Sequence, residues 1–426
     1  MFAATATIIS ENKTNGAPIE ISQGIIVNQC GISMPAWKDQ KLTAEIESIS
    51  SMGEQHRQKL RQAAADFRSL MKDEFPDASI WMTGSFAAGV DLPSSDLDFT
   101  IRVPSLGENR DNFNKLMAIK RNLWDSDLFY DLYVTGGLIP VLTMVHKATR
   151  VDLDVTIDND PPKSNTLLLS VYGQLDERFP KLCRGVKKWA TDTGVENSKM
   201  GRVNSFSVCL LLVHFLQQVG VLPKELPSTI RGTIELGRDA KEEIGWVSRN
   251  KDSLGALFWG FMKYYSQFDF KNQWISIRQG KALEKRRDEN GEPLDGLPKN
   301  NSLIVVEDPF LVPAFNCART LRQDDIYHRI LEEFVEAEKT IREKSRFPIQ
   351  KSTERVKVEN EGKLIDCRIT EIEDTLDDLS WDDLVLLKRV IRARPGSFWG
   401  SPGSFWNVKL EEKQWPDIVR FQSTNR

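Results

Sequence analysis

The chain has 426 residues, 40% of them hydrophobic and 28% charged, with a formal net charge of -4. These values describe a soluble globular protein long enough for two domains, and they exclude a disordered or fibrous chain. They also exclude a broad basic surface, so any intrinsic affinity for nucleic acid is expected to be modest and to fall with salt.

Residues 1–35 are polar around a short apolar patch, Gly24-Ile25-Ile26-Val27, and read as a flexible arm. Residues 39–73 read as mostly helical, with Leu60, Ala64, Phe67 and Leu70 at three- and four-residue spacings. Strand-like segments follow from about 78 to 157. Within them Gly84-Ser85 precedes a helix-compatible stretch, and Asp96-Leu97-Asp98 opens an alternating run through Phe99, Ile101 and Val103. Residues two apart on a strand share a face, so Asp96 and Asp98 can serve one metal cluster. Hard cations such as magnesium want oxygen ligands and keep positions open for phosphate oxygens. Gly84 lets backbone approach a phosphate, Ser85 offers a hydroxyl, and a helix N-terminus offers N–H groups. In Arg150-Val151-Asp152-Leu153-Asp154-Val155-Thr156-Ile157 the apolar residues take one face, and Asp152 and Asp154 take the other. Two-metal phosphoryl transfer usually takes three carboxylates, so either one can complete the set.

From Thr166 the period becomes helical: Leu167-Leu168-Leu169, Val171-Tyr172 and Leu175, then Phe179-to-Trp189, Ser205-to-Val219 and Leu254-to-Tyr265. His214 lies in the apolar run Cys209-to-Leu216 and reads as a core histidine; His56, His146 and His328 read as packing or surface residues. Cys30, Cys183, Cys209, Cys317 and Cys367 lie far apart with no CxxC, which suggests neither zinc nor a disulfide framework. A loop is expected over Glu284-to-Asn301, a strand at Leu303-to-Val306 and a helix near 323–344. Residues 346–426 carry an acidic run from Glu371 to Asp378, a basic-apolar run from Leu384 to Arg394, and Gly-Ser-Phe-Trp twice, at 396–399 and 403–406. That duplication reads as a local packing or docking element. No signal peptide is present, and no apolar run reaches the ~18 residues of a membrane helix, so a cytoplasmic or nuclear location is expected.

Gly-Ser, about ten residues, then Asp-x-Asp resembles the signature of the DNA polymerase β-like nucleotidyltransferases. Further motifs narrow the resemblance: Lys187-Lys188-Trp189-Ala190, Asn204-Ser205-Phe206, Tyr264-Tyr265, Phe268-Asp269-Phe270, Glu307-Asp308-Pro309-Phe310 and Arg319-Thr320. Their order is similar to that of RNA terminal nucleotidyltransferases, the terminal uridylyltransferases and cytoplasmic poly(A) polymerases, over roughly 40–345. The resemblance implies an α+β fold: a palm-like domain with a mixed sheet at 36–165 and a mainly helical nucleotide-recognition (PAP-associated) domain at 166–345. The arm at 1–35 and the tail at 346–426, which matches no family, become partner-docking regions.

By the same resemblance Asp154, eleven residues before Asn165-Thr166, is the third metal ligand beside Asp96 and Asp98, and Asp152 is a solvated or outer group. Gly84, Ser85, Lys187 and Ser205 would bind phosphates, Asn165 the ribose and base edge, Phe206 the base face, and Asp308 the base edge. Two departures stand out. Thr191 replaces a second triphosphate lysine, and Phe315 replaces the histidine of uridine-preferring members. The implied activity is template-independent addition of ribonucleotides to RNA 3′ ends with Mg2+ or Mn2+, with adenylate or relaxed base use. Strict terminal uridylyl transfer, another superfamily reaction such as oligoadenylate synthesis, and an inactive RNA- or partner-binding scaffold are the alternatives. The implied partners are the RNA 3′ end, an NTP and proteins that supply RNA specificity.

Overall fold

A computed structural model describes residues 19–21, 25–27, 31–51, 53–108, 111–198, 201–225, 240–298, 303–311, 315–348, 355–360, 363–368 and 419–420. In chain order the first elements are β1 (Ile19–Ile21), β2 (Ile25–Val27), β3 (Ser33–Pro35), α1 (Ala36–Ser51), α2 (Glu54–Glu74), β4 (Ser79–Thr83) and the single-turn α3 (Gly84–Ala87). Then come β5 (Leu97–Arg102), α4 (Asn112–Trp124), β6 (Phe129–Thr135), β7 (Val141–His146), β8 (Asp152–Ile157), α5 (Pro161–Leu175), α6 (Arg178–Asp192) and α7 (Ser205–Gln218).

The site rests on a five-stranded sheet of order β4-β5-β8-β7-β6. Only β5 and β8 run parallel; the other pairings are antiparallel, so the sheet is mixed, as expected. Strand alternation divides its faces. Leu97, Phe99, Ile101, Leu142, Met144, Leu153 and Val155 form one core with Leu60, Phe67 and Met71 of α2 and Leu116, Ile119 and Leu123 of α4. Full burial of each large side chain is worth roughly 1.5–3 kcal/mol, which fixes the register and turns the intervening polar residues to the other face. Helix α4 falls inside the stretch expected to be strands. Asp111 caps it, accepting from Asn114 N at 2.9 Å.

The second core is helical. It gathers α5, α6, α7, the Leu254–Ser266 helix and the Asp324–Lys344 helix. Helix α7 is apolar on all sides and almost wholly buried, the pattern of a central helix. His214 there is hydrogen-bonded through Nδ1 to the Tyr265 hydroxyl at 3.0 Å, and burial lowers its pKa to about 4. Helix α1 also packs into this core, through Leu42, Ile46 and Ile49. The reason is a close helix crossing. A Cβ on Gly255 would lie 2.8 Å from Asp39 O, and Gly255 N instead donates to Thr43 Oγ1 at 2.9 Å. Ile32 and Met34, inside the expected arm, are buried in the same core.

Residues 355–360 and 363–368 pair as an antiparallel hairpin. The repeated Gly-Ser-Phe-Trp and the acidic and basic runs of the tail lie outside the described residues. Cys183 of α6 and Cys209 of α7, distant in sequence, bring their Sγ atoms to 3.3 Å as free thiols. Among the described residues no helix is long and apolar enough to cross a membrane.

Candidate active site

The polar sheet face opens onto a cleft of about 530 Å³, closed on its other side by α5, α6 and α7. Its lining includes nine of the residues singled out from sequence: Gly84, Ser85, Asp96, Asp98, Asp154, Asn165, Lys187, Ser205 and Phe206. Asp98 and Asp154 are register partners on the parallel β5–β8 pair, which sets their side chains next to each other. Asp96 precedes β5 and keeps one side open to solvent at the cleft mouth.

The electrostatics are those of crowded acids. The cleft walls, and then the charge of Asp154, raise Asp96 to about 6. Desolvation, then Asp96 and Asp154, hold Asp98 well above the usual carboxylate range, against an opposing pull from Lys187. Among the described residues no three acidic, histidine or cysteine side chains form a ready-made metal cage. That suits magnesium, which is commonly held by one or two carboxylates with substrate phosphates and waters completing the shell. The all-oxygen donor set and the crowding of the carboxylates fit such an ion.

One positioning residue had no sequence signal. Thr143 on β7 is Asp154's register partner, and its hydroxyl donates to Asp154 Oδ1 at 2.7 Å. Thr143→Val removes the donor at nearly constant volume and should lower nucleotide addition about tenfold, the scale of one hydrogen bond to a charged group. Melting should stay close to wild type. Unchanged turnover would show that the sheet alone aims Asp154.

Gly84 has φ +77, and a Cβ there would collide with the Asp98 carboxylate, so only glycine fits. Its N–H is not free for phosphate, as the reading of a helix N-terminus assumed. It donates to Thr166 Oγ1 at 2.8 Å, and α3 is only four residues long. The bond ties the turn to α5, which begins at Pro161 rather than Thr166 and so carries Asn165 in its second turn. The Ser85 hydroxyl bonds to Ser95 Oγ at 3.1 Å within the lining.

Lys187 is buried, with Nζ donating to Val90 O at 3.0 Å at the cleft floor. The loop it grips is latched further. Asp91 accepts from Arg57 Nε at 2.8 Å and from Arg184 Nη2 at 3.4 Å, and Arg184 also donates to Gly89 O at 2.7 Å. Asn204 caps α7, accepting from Ser207 N at 2.7 Å, and donates to Cys317 O at 2.8 Å. Ser205 and Phe206 are thereby set against the 316–320 segment. Thr191 lines the cleft where a second lysine was expected.

Asp308 and Phe315 are not among the lining residues. Asp308 Oδ1 caps a turn, accepting from Phe310 N at 2.9 Å and Leu311 N at 3.2 Å. The Phe315 ring lies 4.4 Å from the Arg319 guanidinium. Asn316 and Glu307, not singled out from sequence for a role, brace this region. Buried Asn316 accepts from Val306 N and Ala318 N and donates to Ile304 O, and Glu307 accepts from Ser276 Oγ at 2.6 Å.

Carboxylates thus stand on one wall, with a buried lysine and an aromatic on the facing wall. Residues 40–174 match the family described as "Poly(A) RNA polymerase, mitochondrial-like, central palm domain", and residues 253–312 match "Cid1 family poly A polymerase". Over these two stretches the chain is similar to RNA terminal nucleotidyltransferases of the DNA polymerase β-like superfamily. It is 26% identical over 326 residues to poly(A) RNA polymerase GLD2 of Homo sapiens, covering 72% of this chain and 65% of that one. To GLD2-B of Xenopus laevis it is 26% identical over 285 residues, covering 64% of this chain and 54% of the relative. The chain thus spans about half to two thirds of the length of these curated relatives. In fold it is similar to Cid1 in complex with its short product ApU (TM-score 0.60, 23% identity, 73% of this chain and 96% of that one). A cytoplasmic RNA terminal U-transferase gives TM-score 0.58 at 24% identity, covering 72% and 95%. The GLD-2/RNP-8 complex gives 0.54 at 22%, covering 71% and 94%.

Proposed function

We propose that this protein adds ribonucleotides, without a template, to the 3′ ends of RNA. The observation that carries the reading is the cluster of Asp96, Asp98 and Asp154, the first two raised by burial and by their acidic neighbours, facing Lys187, Asn165 and Phe206 across one cleft. An inactive scaffold would have no reason to keep charges that repel one another in a desolvated wall. Asp96, Asp98 and Asp154 would hold Mg2+ or Mn2+, which when bound supplies charge neutralisation at the leaving pyrophosphate and acidifies the attacking hydroxyl. A mutant of the fold-similar Cid1 poly(U) polymerase has been seen bound to MgATP.

The remaining roles fall to this chain's own groups. Lys187, Ser85 and Ser205 face the triphosphate, Asn165 the ribose, and Phe206 the base. Asp308 is buried, with Oδ1 committed to its turn and Oδ2 accepting from Cys317 Sγ at 3.9 Å, and would reach a base edge only if that contact were released. Residues 36–165 would act as the catalytic palm and 166–345 as the nucleotide-recognition domain, with α1 packed on the latter. The net charge of -4 implies few phosphate contacts, and hence release of RNA after one or a few additions unless partners tether it. A related polymerase occurs in a protein complex; partners that choose the RNA would suit this chain too.

Incubating the protein with magnesium, labelled RNA and each NTP in turn tests the reading; no extension with any nucleotide would overturn it. Base use is expected to be adenylate or relaxed, because Phe206 stacks on any base and Phe315 offers no imidazole. Phe315 lies against Arg319 outside the cleft lining, so Phe315→His should shift preference toward UTP by less than about tenfold, the scale of one hydrogen bond made inside a desolvated site. Almost pure uridine tails from the unmodified protein, made from an equimolar NTP mixture, would sink that expectation.

A further inference from the structure

The strand order leaves half of the polar sheet face without a role. Phosphate candidates lie toward one edge: Ser85 follows β4, and Lys187 grips the loop beyond it. Asp154 is on the central strand β8, and past it lie only β7 and β6. Thr143 pairs with Asp154 on one side and Tyr133 on the other, so all three side chains share a face. Val141 of the same strand lines the cleft and pairs with Thr135. The β6–β7 hairpin is therefore continuous with the cleft wall.

Its tip is Gly136-Gly137-Leu138-Ile139-Pro140, where Gly137 has φ +124. Leu138 is 97% exposed and Ile139 48%. Scattered apolar residues on a surface need no explanation, but two adjacent ones at the rim of a substrate cleft mark a contact surface. In-line transfer decides what comes there. Attacking and leaving oxygens lie on opposite sides of the phosphorus. With pyrophosphate toward Ser85 and Lys187, the acceptor must arrive from the β7–β6 side. Aromatic and apolar side chains take bases by their faces regardless of sequence, which also suits a chain too acidic to hold RNA mainly by its phosphates.

We propose that the β6–β7 hairpin seats the terminal bases of the acceptor RNA, with Tyr133 on the sheet face and Leu138–Ile139 at the rim. The inference rests on the nucleotidyl-transfer reading above. Single-stranded RNA carrying 4-thiouridine at its last two positions, irradiated with the full chain, should cross-link within residues 129–141. Cross-links confined to the helical domain would overturn the placement. This readout needs no turnover, so a chain that cross-links here but adds no nucleotide would refute the activity and leave the subsite standing. In steady state, Leu138→Asp combined with Ile139→Asp should raise KM for RNA about tenfold. KM for the NTP, kcat at saturating RNA and the melting temperature should be unchanged. An unchanged RNA KM overturns the proposal, including the case in which the tip instead binds a protein partner and the double variant loses only that partner.

Discussion

Asp98→Asn should lose at least about a thousandfold in nucleotide addition, on the order of 4 kcal/mol in the barrier, yet melt no lower than wild type in EDTA. Both halves have one cause. The wild-type carboxyl is held well above its normal range by burial and by Asp96 and Asp154, so its charge opposes folding until a cation compensates it. The amide keeps the shape and removes the charge. Magnesium should then raise the melting temperature of the wild type and leave the variant almost unmoved, a binding readout independent of turnover. Asp96→Ala and Asp154→Ala should be as inactive, whereas Asp152→Ala, paired with Val145 rather than Thr143, should be mild. Normal tailing by Asp154→Ala with an inactive Asp152→Ala would reverse that assignment.

Asp91→Ala should destabilise the fold by about 3 kcal/mol, because it removes the carboxylate that two poorly solvated guanidinium groups share. The Asp91 side chain is 4% exposed, and those of Arg57 and Arg184 are 14%. Arg61–Glu54 nearby, with side chains 56% and 58% exposed, provides the contrast, and its removal should change stability by about 1 kcal/mol or less. Urea unfolding of both variants measures the difference. Equal, small effects would mean that water reaches the Asp91 latch.

Much of this was legible in sequence because it depends on local period. The apolar alternation of β5 and β8 fixed which face carries Asp98 and Asp154, and three- and four-residue spacings located α2, α6, α7 and the Asp324–Lys344 helix. What was not legible depends on contacts between distant segments. Thr143 is one more polar residue in a strand until register sets it beside Asp154. Asp91 looks like loop acid until Arg184, 93 residues away, closes on it. The Cys183–Cys209 approach is a product of helix packing, invisible to any spacing rule. Asp308 and Phe315 came from a resemblance, and their places here are decided by the local turn and by Arg319.

Helix α1 has a consequence for how the protein is made. Its partners arrive late on the ribosome: the Leu254–Ser266 helix comes some two hundred residues on, and Phe347, whose N–H donates to Glu45 Oε2, comes 302 residues on. At about 5–20 residues per second, that separation is about 15–60 s of synthesis. The palm sheet is complete once residue 157 has emerged. Leu42, Ile46 and Ile49 must meanwhile wait beside a finished neighbour with their own partners not yet translated. A premature stop just after residue 157 would yield a palm bearing a helix whose Leu42, Ile46 and Ile49 have nothing to cover them, a substrate for chaperones.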